Sequence, residues 1–163
     1  MKNISIITSV LISKLDETDL PLPDENNEID YATIPGADFS NLYITSLSGT
    51  YSEEEQETEN GMLFNKSIQA KHPGIDADYQ KALQLLAPFP LMAIVSDANG
   101  NHELVYPLLL SYNKRNPGTG SEYRGYTINM AGNYHIPSIF VTNMPQPSTI
   151  ASVQNPPTGV LPD

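Results

Sequence analysis

The sequence predicts a mainly β fold: an antiparallel β-sandwich or barrel of about seven strands with one flanking α-helix. Residues 62–71 alternate between apolar and polar side chains, which is typical of a strand with one covered face. The 14 prolines favour loops and β-structure over long helices. Apolar residues at helical spacing occur convincingly only over 76–87. We therefore expect a single β-rich domain over residues 1–142.

The composition argues against several classes of function, among them tight DNA binding and cysteine-based chemistry. The 163 residues suit one domain, and 19 acidic against 8 basic side chains give a formal net charge of −11. Such a chain repels nucleic acid and anionic membranes at long range, and it lacks the basic surface that a tight DNA binder needs. There is no cysteine, which excludes disulfides, zinc–thiolate sites and thiol chemistry.

The first predicted element is a strand over residues 4–13. Its apolar residues do not alternate cleanly, which indicates burial on both sides. The same stretch resembles a weak signal peptide, but no small-x-small cleavage site follows it. We expect a strand, and we expect neither secretion by a signal peptide nor membrane insertion.

Residues 14–40 form a long acidic connection that contains Pro21, Pro23 and Pro35. A connection of this length in a small domain is usually functional or disordered. Two interpretations stay open: an extended arm that lies on a neighbouring subunit, or a solvated loop.

Residues 41–71 predict one long antiparallel hairpin that turns at Asn60-Gly61. Its first run carries Tyr43 and Tyr51, which suit a pleated surface. Its second run alternates well, and only Lys66 and Leu63 break the pattern. The hairpin therefore has one covered and one open face.

Five carboxylates lie between the two runs of this hairpin, with no base among them. They are Glu53, Glu54, Glu55, Glu57 and Glu59. Their spacing fits no calcium loop that we can define, so a solvated acidic tip is the favoured interpretation. With Tyr43 and Tyr51 they are our candidate lumen or interface residues.

The rest of the chain predicts one helix and four further strands. The helix runs from about Asp76 to Ala87, because Asp76 or Asp78 can cap it and prolines follow it. The strands cover 91–96, 102–112, 123–131 and 138–142, separated by turns at 97–101 and 132–133 and a loop over 113–121. Pro107 marks an edge or a bulge. Residues 143–163 predict an extended Pro-rich tail.

No motif predicts catalysis, a cofactor or a metal site. The three histidines lack metal-ligand spacing, and there is no G-x-S-x-G elbow and no phosphate-binding glycine loop. Asp97 to Glu103 faintly resembles a calcium loop, but a hairpin turn fits better. We expect no cofactor and no enzymatic activity. The strand tyrosines can line a sugar-binding face, although such residues more often lie at sheet edges or subunit interfaces.

Three segments carry a resemblance to a family of proteins. SGTYSEEEQETENGMLFNKSIQAKHPG, AIVSDANGNHELVYPL and YRGYTINMAG resemble small structural proteins of tailed phages and prophages of Bacteroidetes. The resemblance covers about residues 42–132. The order of elements is also similar to the phage tail-tube fold, a β-sandwich or barrel with a flanking helix that tube, hub and connector proteins share.

The resemblance implies a non-enzymatic subunit of a phage tail, hub or head–tail connector. Its partners would be copies of itself in a ring, neighbouring tail or neck proteins, and viral DNA that passes through without tight binding. It would be made in the cytoplasm of the host bacterium and end in the virion. The Pro-rich tail departs from the tube fold and favours a connector, hub or minor component.

Two other functions compete with a virion subunit. One is a carbohydrate- or surface-binding β-sandwich, with tyrosines as the ligand face. The other is a small hydrolase with a dispersed site, which has the least support because no nucleophile–base pair is visible in the sequence.

Overall fold

A computed structural model describes residues 6–42, 44, 48–117 and 124–145, and the backbone of residues 151–152. The described chain forms ten strands, one α-helix and a short 3-10 helix at Tyr31–Thr33. The strands are β1 (Ile7–Lys14), β2 (Glu28–Asp30), β3 (Ser40–Asn41), β4 (Thr50–Thr58), β5 (Gly61–Pro73), β6 (Leu91–Asp97), β7 (His102–Arg115), β8 (Gly125–Tyr134), β9 (Ile139–Thr142) and β10 (Ala151–Ser152). The helix α1 spans Ala77–Leu86.

One long strand, β7, joins the two halves of the sheet. Its first part, residues 102–108, pairs with β6 and β9, and residues 109–115 pair with β8. We call the strands on the β6 side (β10-β3-β1-β6, with β2 and β9) half A. Half B consists of β4-β5-β8 and residues 109–115 of β7. The full order is β10-β3-β1-β6-β7-β8-β5-β4.

Half A is covered on both faces. Val10, Ile12, Ala93 and Val95 face one core, which contains the helix and the inner face of half B. Alternate residues face a second core, which is closed by residues from the 15–39 segment and from β9. Its members are Leu11, Leu15, Ile29, Ile34, Phe39, Met92, Ile94, Leu104, Tyr106, Ile139 and Val141. This burial on both faces agrees with the non-alternating sequence of β1.

The structure does not show the extended arm that was predicted for residues 14–40. Leu15, Ile34 and Phe39 are buried against their own sheet, and the Tyr106 hydroxyl donates a hydrogen bond to the Pro21 carbonyl. β2 also pairs in parallel with β9. The segment is therefore part of the fold, because its few apolar residues supply the cover that the second face of half A needs.

Helix α1 covers the inner face of half B. Its buried residues Tyr79, Ala82, Leu83 and Leu86 form one stripe, and Asp76 caps it by accepting a hydrogen bond from the Asp78 backbone N–H. The predicted helix is thereby confirmed within one residue at each end. Ile68 of β5 and Ile128 and Met130 of β8 belong to the same core as these helix residues.

The curved sheet does not close into a barrel, contrary to one of the two predicted forms. β4 ends the order of half B, and β10 ends that of half A. Between the start of β4 and the ends of β1 and β6 lies a cleft of about 340 Å³, lined by Ile7, Gly49, Thr50, Tyr51, Val95, Asp97 and Glu103. In the described residues, β4 thus approaches β1 and β6 here without pairing with them.

Three further predictions concern β8, the C-terminal tail and Pro107. Gly132 and Asn133, predicted as a turn, lie inside β8 and pair with β5. The predicted Pro-rich tail falls largely outside the described residues, but its β10 pairs in parallel with β3. Opposite Pro107 the β6–β7 register shifts between Leu91 and Ala93, which confirms the predicted irregularity.

Candidate functional site

The carboxylates that were predicted as an acidic tip form an exposed edge strand instead. Glu53, Glu54, Glu55 and Glu57 lie within β4, and only Glu59 lies in the turn. β4 pairs with β5 on one side, and no other strand of the described residues pairs with its outer edge. Residues 52–57 are all exposed. The tip prediction was wrong because the charges run along the strand, where one side is open to water.

The two faces of β4 have different environments. The register Tyr51↔Ile68 and Glu53↔Lys66 places these side chains on the inner face, together with Glu55 and Glu57. Glu54 points to the opposite face. The predicted carboxylates therefore do not act as one group: Glu53 is held inside the protein's own hydrogen-bond network, whereas Glu54 lies on the outer surface.

Lys66 of β5 is buried on the inner face of the hairpin that β4 and β5 form. Only 2% of its surface is exposed, and its Nζ donates hydrogen bonds to the carbonyls of Tyr106 at 3.1 Å and Ile136 at 2.6 Å. These carbonyls belong to β7 and to the β8–β9 connection. One side chain of β5 thus ties together three parts of the chain that are far apart in sequence. Beside Lys66, Ser138 is hydrogen-bonded to Glu53 and Glu103. We call these four residues, Lys66, Glu53, Glu103 and Ser138, the lysine clamp.

Ser138 completes the clamp through three of its polar groups. Its backbone N–H donates to Glu53 Oε1 at 2.8 Å, and its hydroxyl donates to Glu103 Oε1 at 2.9 Å. Its carbonyl accepts a hydrogen bond from Asn27 Nδ2 at 2.9 Å. These hydrogen bonds to the buried Ser138 fix one arrangement of the chain, because leaving its polar groups unpaired is costly.

Burial shifts the pKa values of Lys66, Glu103 and Tyr51. It lowers the pKa of Lys66 to about 8, and the nearby Glu53 carboxylate opposes this shift. Burial raises the pKa of Glu103, against the hydrogen bond from Ser138, and the negative charges of Glu53 and Asp97 add to the increase. Burial, and then Glu53, raises the pKa of Tyr51. Because the Lys66 nitrogen is held by two carbonyls, the clamp positions the hairpin rather than offering a nucleophile.

The outer face of half B is rich in uncharged polar side chains. We call it the polar face. Its residues are Ser52, Glu54, Gln56, Leu63, Asn65, Ser67, Gln69, Lys71, Leu109, Ser111, Asn113, Arg115, Thr127, Asn129, Ala131 and Asn133. Amides and hydroxyls dominate, so the face can exchange hydrogen bonds with water or a polar partner while carrying little charge.

One serine–histidine pair was not foreseen. Ser96 Oγ and His102 Nδ1 lie 2.7 Å apart, next to a cavity of about 360 Å³. The two residues are direct neighbours across the β6–β7 pairing, beside the turn in which Asp97 Oδ1 accepts from the Asn99 and Asn101 backbone N–H groups. Ser96 is only 5% exposed. We interpret this contact as cross-strand support of a hairpin turn, which also agrees with the predicted turn at 97–101.

The remaining predicted site residues are placed as follows. Tyr51 is half-buried in the cleft, and its hydroxyl lies 3.3 Å from Glu53 Oε1. Tyr43 lies outside the described residues. Lys66 was missed, although the sequence held its signal: the alternation of β5 puts this lysine on the covered face.

Comparison with known proteins adds no family assignment. No protein-family model matches the chain, and neither curated proteins nor solved structures show a significant similarity to it. In the described part of the chain, no helix is both long and apolar enough to cross a bilayer. A search of the same residues finds no group of three or more acidic or histidine side chains arranged to hold a metal ion.

Proposed function

We propose that the protein is a non-enzymatic structural subunit that assembles with copies of itself into a ring, as part of the tail, hub or head–tail connector of a phage virion. In this role the ring would surround the DNA passage. The observation that carries the proposal is the open outer edge of β4, a nine-residue strand held in a fixed position by the lysine clamp.

An open strand edge of this length is a template for another strand. Monomeric proteins usually shorten, cover, bend or charge such edges. The carboxylates of β4 therefore discourage pairing with an acidic or apolar strand and leave a basic strand as the suitable partner. Here the edge is long, and the pairing of β4 with β5 runs without a register shift from Thr50 to Thr58. A ring removes such edges by pairing each one with a neighbouring subunit.

The polar face supports a passage that does not hold DNA. The whole chain has a net charge of −11, and Lys71 and Arg115 are the only basic residues on this face. Tight phosphate binding requires several Lys or Arg side chains, since each neutralised phosphate adds to the affinity. A wall of amides and hydroxyls would let a polyanion pass over a hydrated surface.

Native mass spectrometry and negative-stain electron microscopy of the purified chain test this proposal. We expect discrete oligomers of one stoichiometry and ring-shaped particles. A Glu54→Pro, Gln56→Pro variant should remove the oligomers because proline disrupts the β4 edge. Gln69→Ala, on an interior strand of the polar face, is the matched control and should assemble normally. A monomer at all concentrations up to the millimolar range would contradict the proposal.

A carbohydrate-binding module is the second candidate, and the cleft beside Tyr51 favours it. The cleft combines an aromatic ring, the Glu103 carboxylate and apolar walls from Ile7 and Val95, groups that suit a sugar ring. Two other tyrosines of the predicted ligand face, Tyr106 and Tyr126, are instead buried. A glycan array with the unmodified chain and Tyr51→Ala would decide between the two: saturable binding lost in the variant would favour the module.

A further inference from the structure

We infer that the open edge of β4 pairs with residues 109–115 of β7 in a second copy of the chain, so that half B continues from one subunit into the next. This inference rests on the proposed function and names the surfaces that would carry it. Four features support it: a second open edge, the strand directions, the charges and the register.

The second open edge is formed by residues 109–115 of β7. β6 stops pairing with β7 at Leu108, whereas β8 continues along the other side from Leu109 to Arg115. In the described part of the chain, no strand occupies the side that β6 leaves. Half B thus has two open edges of similar length, one at β4 and one at the end of β7.

Strand directions allow these two edges to meet. β4 is antiparallel to β5, β5 to β8, and β8 to β7. β4 and the end of β7 therefore run in opposite directions. A second copy related by rotation, with its sheet facing the same way, places its β4 antiparallel to β7 of the first. The contact is head-to-tail, which closes into a ring when the rotation closes.

Charge selects this pairing over the alternatives. A β4–β4 contact would bring Glu54, Glu55 and Glu57 of two copies together, and like charges opposite each other destabilise strand pairs. The end of β7 carries Lys114 and Arg115. Lys114 donates a hydrogen bond to the neutral Gln80 Oε1 at 3.1 Å. The acidic edge thus meets a basic one.

One register places both basic side chains opposite carboxylates. In an antiparallel pair, Arg115 opposite Glu54 puts Lys114 opposite Glu55 and Asn113 opposite Gln56. The faces also agree: Arg115 and Glu54 lie on the polar face, whereas Lys114 and Glu55 lie on the inner face. This register joins the polar faces of adjacent subunits into one surface.

Cysteine cross-linking tests the register directly, since the chain has no cysteine of its own. Gln56→Cys with Asn113→Cys should give a ladder of covalent oligomers under mild oxidation. Within one chain the two positions are three strands apart and eight residues out of register, since Gln56 lies opposite Leu63 and Asn113 lies level with Lys71. The separation is roughly 30 Å, which is too far for a disulfide. Gln56→Cys with Asn129→Cys is the control: both lie on the polar face, but Asn129 is on an interior strand, so no ladder should form.

Charge reversal gives a second test. Glu54→Lys with Glu55→Lys, and separately Lys114→Glu with Arg115→Glu, should each weaken assembly about tenfold or more. Mixing the two variants should restore oligomers, because every contact then joins opposite charges. Circular dichroism checks that both variants fold.

The outcomes separate the two proposals. Oligomers of the unmodified chain without the Gln56–Asn113 ladder, or without rescue on mixing, would overturn this interface and leave the proposed function standing. A chain that neither assembles nor cross-links would overturn both.

Discussion

The two halves of the sheet differ in how they are covered. Half A is buried on both faces, by helix α1 and half B on one side and by the 15–39 segment on the other. Half B is buried on its inner face alone, and its outer face presents amides and hydroxyls to solvent. The same sheet therefore contains a fully enclosed part and a part with one face and two edges left open.

Because of this difference, half A would contribute mainly to stability and half B to the proposed assembly. Burying apolar area stabilises a fold by roughly 25 cal/mol per Å², so half A provides the larger share per strand. Half B contributes less, but its open surfaces are available to partners. The lysine clamp and Gly132 lie where the halves meet, and they fix the position of half B relative to half A.

Gly132→Val should break the connection between the halves and have the largest effect. A Cβ atom at this position would lie 2.0 Å from the Pro107 carbonyl oxygen, so the β7 backbone would have to move. We expect a loss of more than about 4 kcal/mol in the free energy of unfolding. Urea denaturation measures it. Ala131→Val, on the exposed neighbouring residue, should change stability by less than about 0.5 kcal/mol; equal losses would show that the close approach is unimportant.

Lys66→Met should loosen half B without unfolding half A. The carbonyls of Tyr106 and Ile136 lose their donor, and we expect a cost of about 2 kcal/mol at pH 7. Hydrogen exchange should show faster exchange in β4 and β5 than in β6. Uniformly faster exchange in all strands would contradict a local role for the clamp.

The loss of stability caused by Lys66→Met should depend on pH. The folded chain releases the Lys66 proton near pH 8, whereas the ordinary value is 10.5. Between these values the unfolded chain binds more protons, so the unmodified protein gains stability as pH rises through the window. The stability difference from Lys66→Met should therefore widen from pH 8 to 10.5. Gln69→Met, on the exposed face of the same strand, removes no titrating group and should show no widening.

Glu53→Gln should have the smallest effect, about 1 kcal/mol. The amide oxygen can still accept from Ser138 N–H, but the negative charge that favours protonated Lys66 is lost. The pKa of Lys66, followed by NMR of its side chain, should fall below its value in the unmodified protein. Glu54→Gln is the matched control on the other face. An equal shift in that control would show that the effect is not local.

The sequence predicts most of the elements, because they follow from local patterns. The alternation in β5, the Asp76-capped helix and the Pro107 irregularity all depend on neighbouring residues, and all are confirmed. The 15–39 segment was harder to predict. Its acidic residues and prolines suggest a loop, while its cover of half A depends on a few apolar residues whose partners are far away in sequence.

The candidate site could be predicted only in part. Period-two alternation places Lys66 on the covered face, yet its acceptors lie 40 and 70 residues away and leave no trace in the local sequence. Gly132-Asn133 has the composition of a turn, but the glycine serves a close approach between two strands. In both cases a contact between residues far apart in the sequence determines the local structure.

The shared strand β7 also determines how the protein would respond to force. Each half is hydrogen-bonded to a different stretch of one continuous backbone, so tension that separates the halves loads the β6–β7 and β7–β8 ladders in series. The β7–β8 ladder is uninterrupted from Leu109 to Arg115, whereas the β6–β7 ladder is broken by a register shift near its end. Rupture should therefore begin between β6 and β7 at Leu91, leaving half B intact as a mechanical unit.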